Sequence, residues 1–180
     1  MIRFRTLAFS FSGNAPPAEF LLFKQGLNET EHGAFLFDAV AAKSVMAAYK
    51  TWGIDLAIDL EHQMLADAPS PDPGAKDSRG WFKLQLRPDG SLWAVDVRWT
   101  ADGLQRLTEK RQRYISPAFE ADPKTNRVTK IINVAITSIP ATHNTPALVA
   151  ASKTRKAARK PMTSVQKMSS SLESGSWIRS

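Results

Sequence analysis

Apolar residues recur along the chain at two spacings, and each spacing predicts a different kind of element. Apolar residues at every second position are typical of strands with one buried face. Two such runs flank the tetrapeptide Pro88–Ser91, where proline suits the second turn position and Gly90 tolerates a positive φ, so a hairpin is predicted. That hairpin covers residues 80–100, and further strands are predicted over residues 2–11, 18–26, 54–62, 114–122 and 127–140.

Two segments have helical spacing instead. Residues 38–53 predict a helix with Asp38 as its N-cap and Gly53 just past its end. A shorter helix is predicted over residues 101–111, capped by Thr100. Between these helices, residues 64–79 are rich in Pro, Asp and Ser and predict a loop, which at this length is usually functional or mobile. Many strands around two helices predict a mainly β fold with flanking helices (α+β), built on a small antiparallel β-barrel or curled sheet.

The composition narrows the chemistry. The chain has 180 residues, 43% of them hydrophobic, and no cysteine. The lack of cysteine excludes disulfides, zinc sites with thiolate ligands and cysteine nucleophiles, so serine, threonine, histidine or carboxylates would have to supply any nucleophile or general base. No window approaches the ~18 consecutive apolar residues of a membrane-spanning helix, and we therefore expect a soluble protein with no membrane partner.

The net charge of +7 is concentrated at one end of the chain. Residues 153–180 hold seven basic residues and a single acidic one, Glu173, so the rest of the chain is nearly neutral. A segment rich in Ser, Lys and Arg cannot bury enough apolar surface to fold alone. The sequence therefore predicts one domain over residues 1–150 and a basic, disordered tail over residues 151–180.

One of the three histidines, His62, lies in the segment "IDLEHQ" and ends a run in which apolar residues alternate with other residues over positions 54–62. Strict strand alternation would place His62 on the apolar face with Leu60, and would aim Asp59 and Glu61 away from the imidazole. A lone histidine in this setting is more often a core residue than a catalytic base. The histidines also lack the spacing of a metal site, and we expect neither a metal nor a cofactor.

A hydroxyl group that such a histidine could activate lies in the segment "RYISPAFEAD". Pro117 favours an extended backbone at Ser116 and has no N–H to donate, so this segment belongs at a sheet edge or a bulge. Tyr114, Ser116 and Ala118 would then share one face of the strand. Ser116 alone is uninformative, but serine becomes a nucleophile when an imidazole removes its proton, so Ser116 and His62 are suggestive as a pair.

Four blocks in this order carry a family resemblance: "IDLEHQ", a Pro-rich loop, "GWFKLQLRPDGSLWAVDVRWTADGLQRLTEKRQRYISPAFEAD" and "NVAITSIPATHNTPAL". Across roughly residues 17–150 the chain resembles the prohead proteases of Mu-like phages, also called protein I. That family is distantly similar to the herpesvirus assemblins, serine proteases on a small β-barrel flanked by helices. The resemblance implies a head-maturation serine endopeptidase that cleaves scaffold and capsid proteins, and itself.

The resemblance also implies the site residues. The family's histidine matches His62 and its serine matches Ser116. Assemblins use a second histidine after the serine, and His143 lies where such a residue could be, although its Pro- and Thr-rich setting is also that of a surface histidine. Glu120 and Asp122 stay open as alternative third members.

Donors for an oxyanion are unassigned, with backbone N–H groups near Ser116, or Arg111 and Arg113, as candidates.

The implied partners are the scaffold protein and the major capsid protein, and the implied location is the host cytoplasm, inside assembling proheads. Residues 151–180 would lead into a shortened scaffold region. A homo-oligomer stays open, and contact between the basic tail and nucleic acid is a less favoured alternative. The rival hypothesis is a non-catalytic capsid assembly or scaffold protein that retains the protease fold.

Overall fold

The computed structural model describes residues 3–4, 16–30, 33–67 and 70–139. Its helices are α1 (Ala39–Trp52) and α2 (Ala101–Thr108), with a single 3-10 turn over Gln63–Leu65. Its strands are β1 (Arg3–Phe4), β2 (Phe20–Phe23), β3 (Gly26–Thr30), β4 (Gly33–Phe37), β5 (Leu56–Leu60), β6 (Gly80–Leu86), β7 (Leu92–Trp99), β8 (Tyr114–Ala121) and β9 (Val128–Thr137). In this part of the chain no helix is long and apolar enough to cross a membrane.

Seven strands form one curled sheet in the order β1-β8-β9-β5-β6-β7-β2. Strands β2 and β8 lie near opposite ends of this order, yet the rings of Phe23 on β2 and Phe119 on β8 are 5.1 Å apart between centroids. The sheet therefore closes almost completely on itself, which confirms the prediction of a mainly β, barrel-like fold with flanking helices. Neighbouring strands pair antiparallel, except that β5 and β9 run parallel, so the described barrel is not antiparallel throughout.

The interior of the barrel is filled by aromatic and branched aliphatic side chains. Phe119 makes edge-to-face contacts with Phe23 and with Phe35 of β4, at 5.1 and 5.2 Å between centroids, and Phe37 stacks on Phe23. All four rings are buried. Aromatic pairs in these arrangements add to the free energy gained from burial alone, so this cluster fixes the inner face of β8.

Both helices begin where the sequence predicts. The Asp38 carboxylate accepts a hydrogen bond from the backbone N–H of Ala41 at 2.9 Å, and Gly53 ends α1 in the left-handed conformation with φ 72°. The Thr100 hydroxyl accepts from the N–H of Gly103 at 3.1 Å and caps α2. The second helix ends at Thr108, three residues before the predicted boundary.

The β3–β4 hairpin is not among the predicted elements, since the predicted strand ends at Gly26. Strand β3 lacks the apolar alternation because its buried position is occupied by Asn28, whose amide donates to the carbonyls of Lys24 and Gly26. A polar side chain that satisfies its own neighbouring backbone gives no periodic signal. The predicted strand over residues 2–11 is described only at Arg3–Phe4, and the remainder lies outside the described residues.

The predicted loop after the 3-10 turn is tied down at its far end by Arg79. This residue is only 4% exposed, and its guanidinium donates to the carbonyls of Asp77 at 2.6 Å and Gly74 at 2.8 Å. The same guanidinium pairs with Asp102 on α2 at 2.7 Å. The end of the loop is therefore anchored to the second helix.

Candidate active site

Ser116 lies on the outer face of the barrel, near the start of β8. Its cross-strand partner on β9 is Ala135, and the partner of Ala135 on β5 is Asp59, so these three residues form one row across three strands. Cross-strand partners share a face of a sheet. The neighbouring residues Ile115 and Phe119 are fully buried in the core, as the sequence predicted, and they leave Ser116 pointing outward.

The inner face has a matching row, formed by Leu60, Ile136 and Ile115. If β5 continued as an extended strand, His62 would lie on the face of Leu60, opposite to that of Ser116. The strand ends at Leu60 instead, and Glu61 and His62 both adopt the left-handed conformation, with φ 49° and 58°. The predicted strand over residues 54–62 is therefore too long, and the placement of His62 on the apolar face is wrong. The left-handed turn redirects the imidazole to the outer face.

The structure brings His62 and Ser116 into direct contact. The distance between His62 Nε2 and Ser116 Oγ is 2.6 Å. With the imidazole neutral and its proton on Nδ1, Nε2 accepts the hydrogen bond from the serine hydroxyl. This is the geometry in which an imidazole can take the proton of a serine nucleophile.

The electrostatics of the pair favour a neutral base. Burial lowers the pKa of His62 from 6.5 to about 4, because it disfavours the charged imidazolium. The imidazole is therefore unprotonated at neutral pH. Ser116 is only 3% exposed, and a hydrogen bond between such partly desolvated groups is stronger than it would be in water.

A buried carboxylate, that of Asp59, lies beside the pair in the same row as Ser116. Burial raises its pKa from 3.8 to about 6, although the backbone N–H groups of Met64 and His62, the side chain of Asn133 and the charge of Arg79 all act to lower it. Strand alternation predicts that Asp59 points away from His62. That prediction holds only for a continuous strand, and β5 ends at Leu60, before His62.

The candidates for a third catalytic residue are His143, Glu120 and Asp122. His143 lies outside the described residues, as does His32. Glu120 pairs with Lys130 at 3.7 Å, and Asp122 accepts backbone N–H groups in the β8–β9 turn, which lowers its pKa. Four residues of extended strand separate Glu120 from Ser116, roughly 13 Å, so both carboxylates are engaged toward the far end of β8.

The candidate oxyanion arginines lie in the segment that leads into β8. Arg111 pairs with Glu109 at 2.9 Å, and the Arg113 guanidinium lies 5.5 Å from the centroid of the Tyr114 ring. Within the described residues, no group of three or more His, Asp or Glu side chains is arranged to hold a metal ion.

Comparison with known proteins identifies the family. Residues 20–149 match the model of the family described as "Mu-like prophage I protein, N-terminal domain". The chain is also similar to "Protease I" of Escherichia phage Mu, with 28% identity over 109 residues. That alignment covers 59% of this chain and 30% of the phage Mu protein, so the chain matches less than a third of that relative. No solved structure matches the chain significantly. Because the family model covers well over half of the chain, including every strand from β2 to β9, the chain belongs to the Mu-like prophage I protein family.

Proposed function

We propose that the chain is a serine endopeptidase in which Ser116 is the nucleophile and His62 the general base. The observation that carries the proposal is the 2.6 Å contact between His62 Nε2 and Ser116 Oγ. The two residues come from segments 54 positions apart, and a left-handed turn is needed to bring them to one face. The related phage Mu protein is named a protease, which supports hydrolysis of peptide bonds as the reaction.

In the proposed mechanism, Ser116 Oγ attacks the carbonyl carbon of the scissile peptide while His62 Nε2 takes the hydroxyl proton. The tetrahedral intermediate then collapses, the C–N bond breaks, and the imidazolium gives its proton to the leaving amine. A water molecule attacks the resulting acyl-enzyme with the same assistance from His62. The depressed pKa of His62 keeps the imidazole in the proton-accepting form before each attack. His143 is proposed as the third member, and the position of Glu120 and Asp122 toward the far end of β8 makes them the less favoured alternatives.

The proposed substrates follow from the family. A Mu-like prophage I protein with protease activity would act on the scaffold and major capsid proteins, and on itself, inside assembling proheads in the host cytoplasm. The proposed protease domain spans residues 1–150, and the family match ends at residue 149. Residues 151–180 would then form the basic tail.

The test is to compare the parent with Ser116→Ala and His62→Ala, each co-expressed with a scaffold protein from a Mu-like phage. Loss of either group should slow processing by about 10⁴-fold or more. A fluorophosphonate reagent, read out by peptide mass spectrometry, should label Ser116 in the parent and fail to label the His62→Ala protein.

A matched control is Ser44→Ala on α1, whose hydroxyl donates to the carbonyl of Thr129 at 3.2 Å, remote from the pair. This variant should process the scaffold and react with the reagent as the parent does. Undiminished processing by Ser116→Ala, with no labelling of Ser116 in the parent, would overturn the proposal. That result would favour a non-catalytic assembly protein that retains the protease fold.

A further inference from the structure

The turn that carries His62 has an unfavourable backbone. Glu61 and His62 are consecutive non-glycine residues with positive φ, and each such residue costs of the order of 1 kcal/mol or more. Strained conformations persist only where the surrounding structure holds them. The contacts that hold this turn therefore determine whether His62 reaches Ser116.

The first such contact comes from the side chain of Asp59, three residues before His62. Its Oδ2 accepts a hydrogen bond from the backbone N–H of Met64 at 2.9 Å, and the backbone N–H of His62 lies close to the carboxylate. Asp59 itself is fully buried and fixed in the row of Ala135 and Ser116. One rigid carboxylate thus binds the backbone just after Gln63, the first residue of the 3-10 turn, much as an N-cap side chain does.

The second contact comes from Glu61. Its Oε1 accepts hydrogen bonds from the backbone N–H and the hydroxyl of Ser138, at 2.8 and 3.0 Å. The Glu61 N–H donates to the carbonyl of Ile136 at 3.1 Å. These bonds tie the turn to the end of β9, the strand that separates β5 from β8.

We propose that Asp59 is a positioning residue that holds the left-handed His62 turn through backbone N–H groups, with Glu61 as its second anchor. This inference rests on the proposed function, since it assigns Asp59 and Glu61 to the placement of the general base. Both act through the backbone of the turn. Their loss should therefore misplace Nε2 relative to Oγ and lower kcat, while the groups that bind the rest of the substrate keep KM nearly unchanged.

The principal test is Asp59→Asn. Asparagine preserves the size of the side chain and can keep an oxygen for the Met64 N–H, but it removes the negative charge that strengthens this hydrogen bond. The loss of charge matters more at Asp59, which is fully buried, than at the exposed Glu61. We expect kcat to fall by about 10- to 100-fold with KM within about threefold of the parent. The rate of Ser116 labelling by the fluorophosphonate should fall by a similar factor. The matched control is Asp38→Asn, where an aspartate also accepts a backbone N–H but does so at the start of α1, and kcat should not change.

Glu61 supplies a second, independent test. Glu61→Ala removes the acceptor of both Ser138 bonds and should lower kcat, whereas Glu61→Gln keeps an oxygen at that position and should recover most of the activity. A buried substitution away from the site, Val45→Ala on α1, gives a comparison for loss of stability alone. It should lower the unfolding midpoint with kcat unchanged.

The outcomes separate this inference from the proposed function. If Ser116→Ala and His62→Ala are inactive but Asp59→Asn and Glu61→Ala keep the parental kcat, positioning is refuted and the protease assignment stands. A loss of kcat in Val45→Ala as large as in Asp59→Asn would also refute positioning, because stability alone would explain it. Activity in Ser116→Ala would remove the protease assignment itself.

Discussion

Ser116 and His62 are held in place by different means. Ser116 lies within the eight-residue strand β8, and the adjacent Ile115 and nearby Phe119 are fully buried in the aromatic core. His62 lies beyond the end of β5, in a left-handed turn held by the carboxylates of Asp59 and Glu61. The proposed nucleophile thus depends on the stability of the whole sheet, and the proposed base depends on a few polar contacts. Substitutions should therefore affect the two halves of the site in separable ways.

The largest expected difference is in the stability lost when a side chain that packs near Ser116, or one near His62, is replaced by alanine. Phe119→Ala removes a ring that contacts Phe23 and Phe35 and should lower the free energy of unfolding by about 3–5 kcal/mol. Met64→Ala, in the partly exposed turn after His62, should cost about 1 kcal/mol or less. Urea denaturation of both variants measures the difference. Equal losses would mean that the His62 turn is as much a part of the core as β8.

A second difference concerns the dependence of stability on pH. The folded Asp59 carboxyl binds its proton more tightly than the unfolded one, because burial raises its pKa to about 6. Its contribution is therefore fully present below about pH 4 and is lost as the pH rises through about 6. The folded imidazole of His62, whose pKa burial lowers to about 4, contributes above about pH 6.5 and loses that contribution as the pH falls.

These two contributions oppose each other between about pH 4 and pH 6.5, and each amounts to at most about 3 kcal/mol at 1.36 kcal/mol per pKa unit. On going from pH 7 to pH 4, His62→Gln should gain stability relative to the parent, and Asp59→Asn should lose stability relative to it. Chemical denaturation at the two pH values measures both differences. If the unfolding free energies of the three proteins change by the same amount between the two pH values, burial shifts the pKa of neither group.

The same contrast explains what could be predicted from the sequence. The position of Ser116 follows from alternation, since Ile115 and Phe119 mark the buried face, and the helix boundaries follow from caps such as Asp38 and Gly53. The left-handed turn gives no such signal, because neither Glu61 nor His62 is a residue that commonly adopts positive φ in the way glycine does. That conformation arises from contacts with Asp59 and Ser138, which only the folded sheet supplies. The missed β3–β4 hairpin has a similar cause in the buried side chain of Asn28.

The smallest expected effect is the difference in stability between the glycine and the alanine variant at one position. Its sign should be opposite at His62 and at Ser116, so it tests the comparison most directly. At His62, with φ 58°, glycine relieves the strain that alanine retains, so His62→Gly should be more stable than His62→Ala by about 1 kcal/mol. At Ser116, in an extended strand, glycine is more costly to order, so Ser116→Gly should be less stable than Ser116→Ala by about 0.5–1 kcal/mol.

Each pair removes the bond between Nε2 and Oγ equally, so the lost contact cancels within the pair and the unfolding free energies report the backbone alone. The sign at His62 is decisive because alanine is the more stable residue wherever φ is negative and the backbone is regular. Greater stability of His62→Ala than of His62→Gly would mean that the turn has an ordinary backbone in solution. His62 would then share the face of Leu60 and point away from Ser116, and the contact on which the proposed mechanism depends would not form.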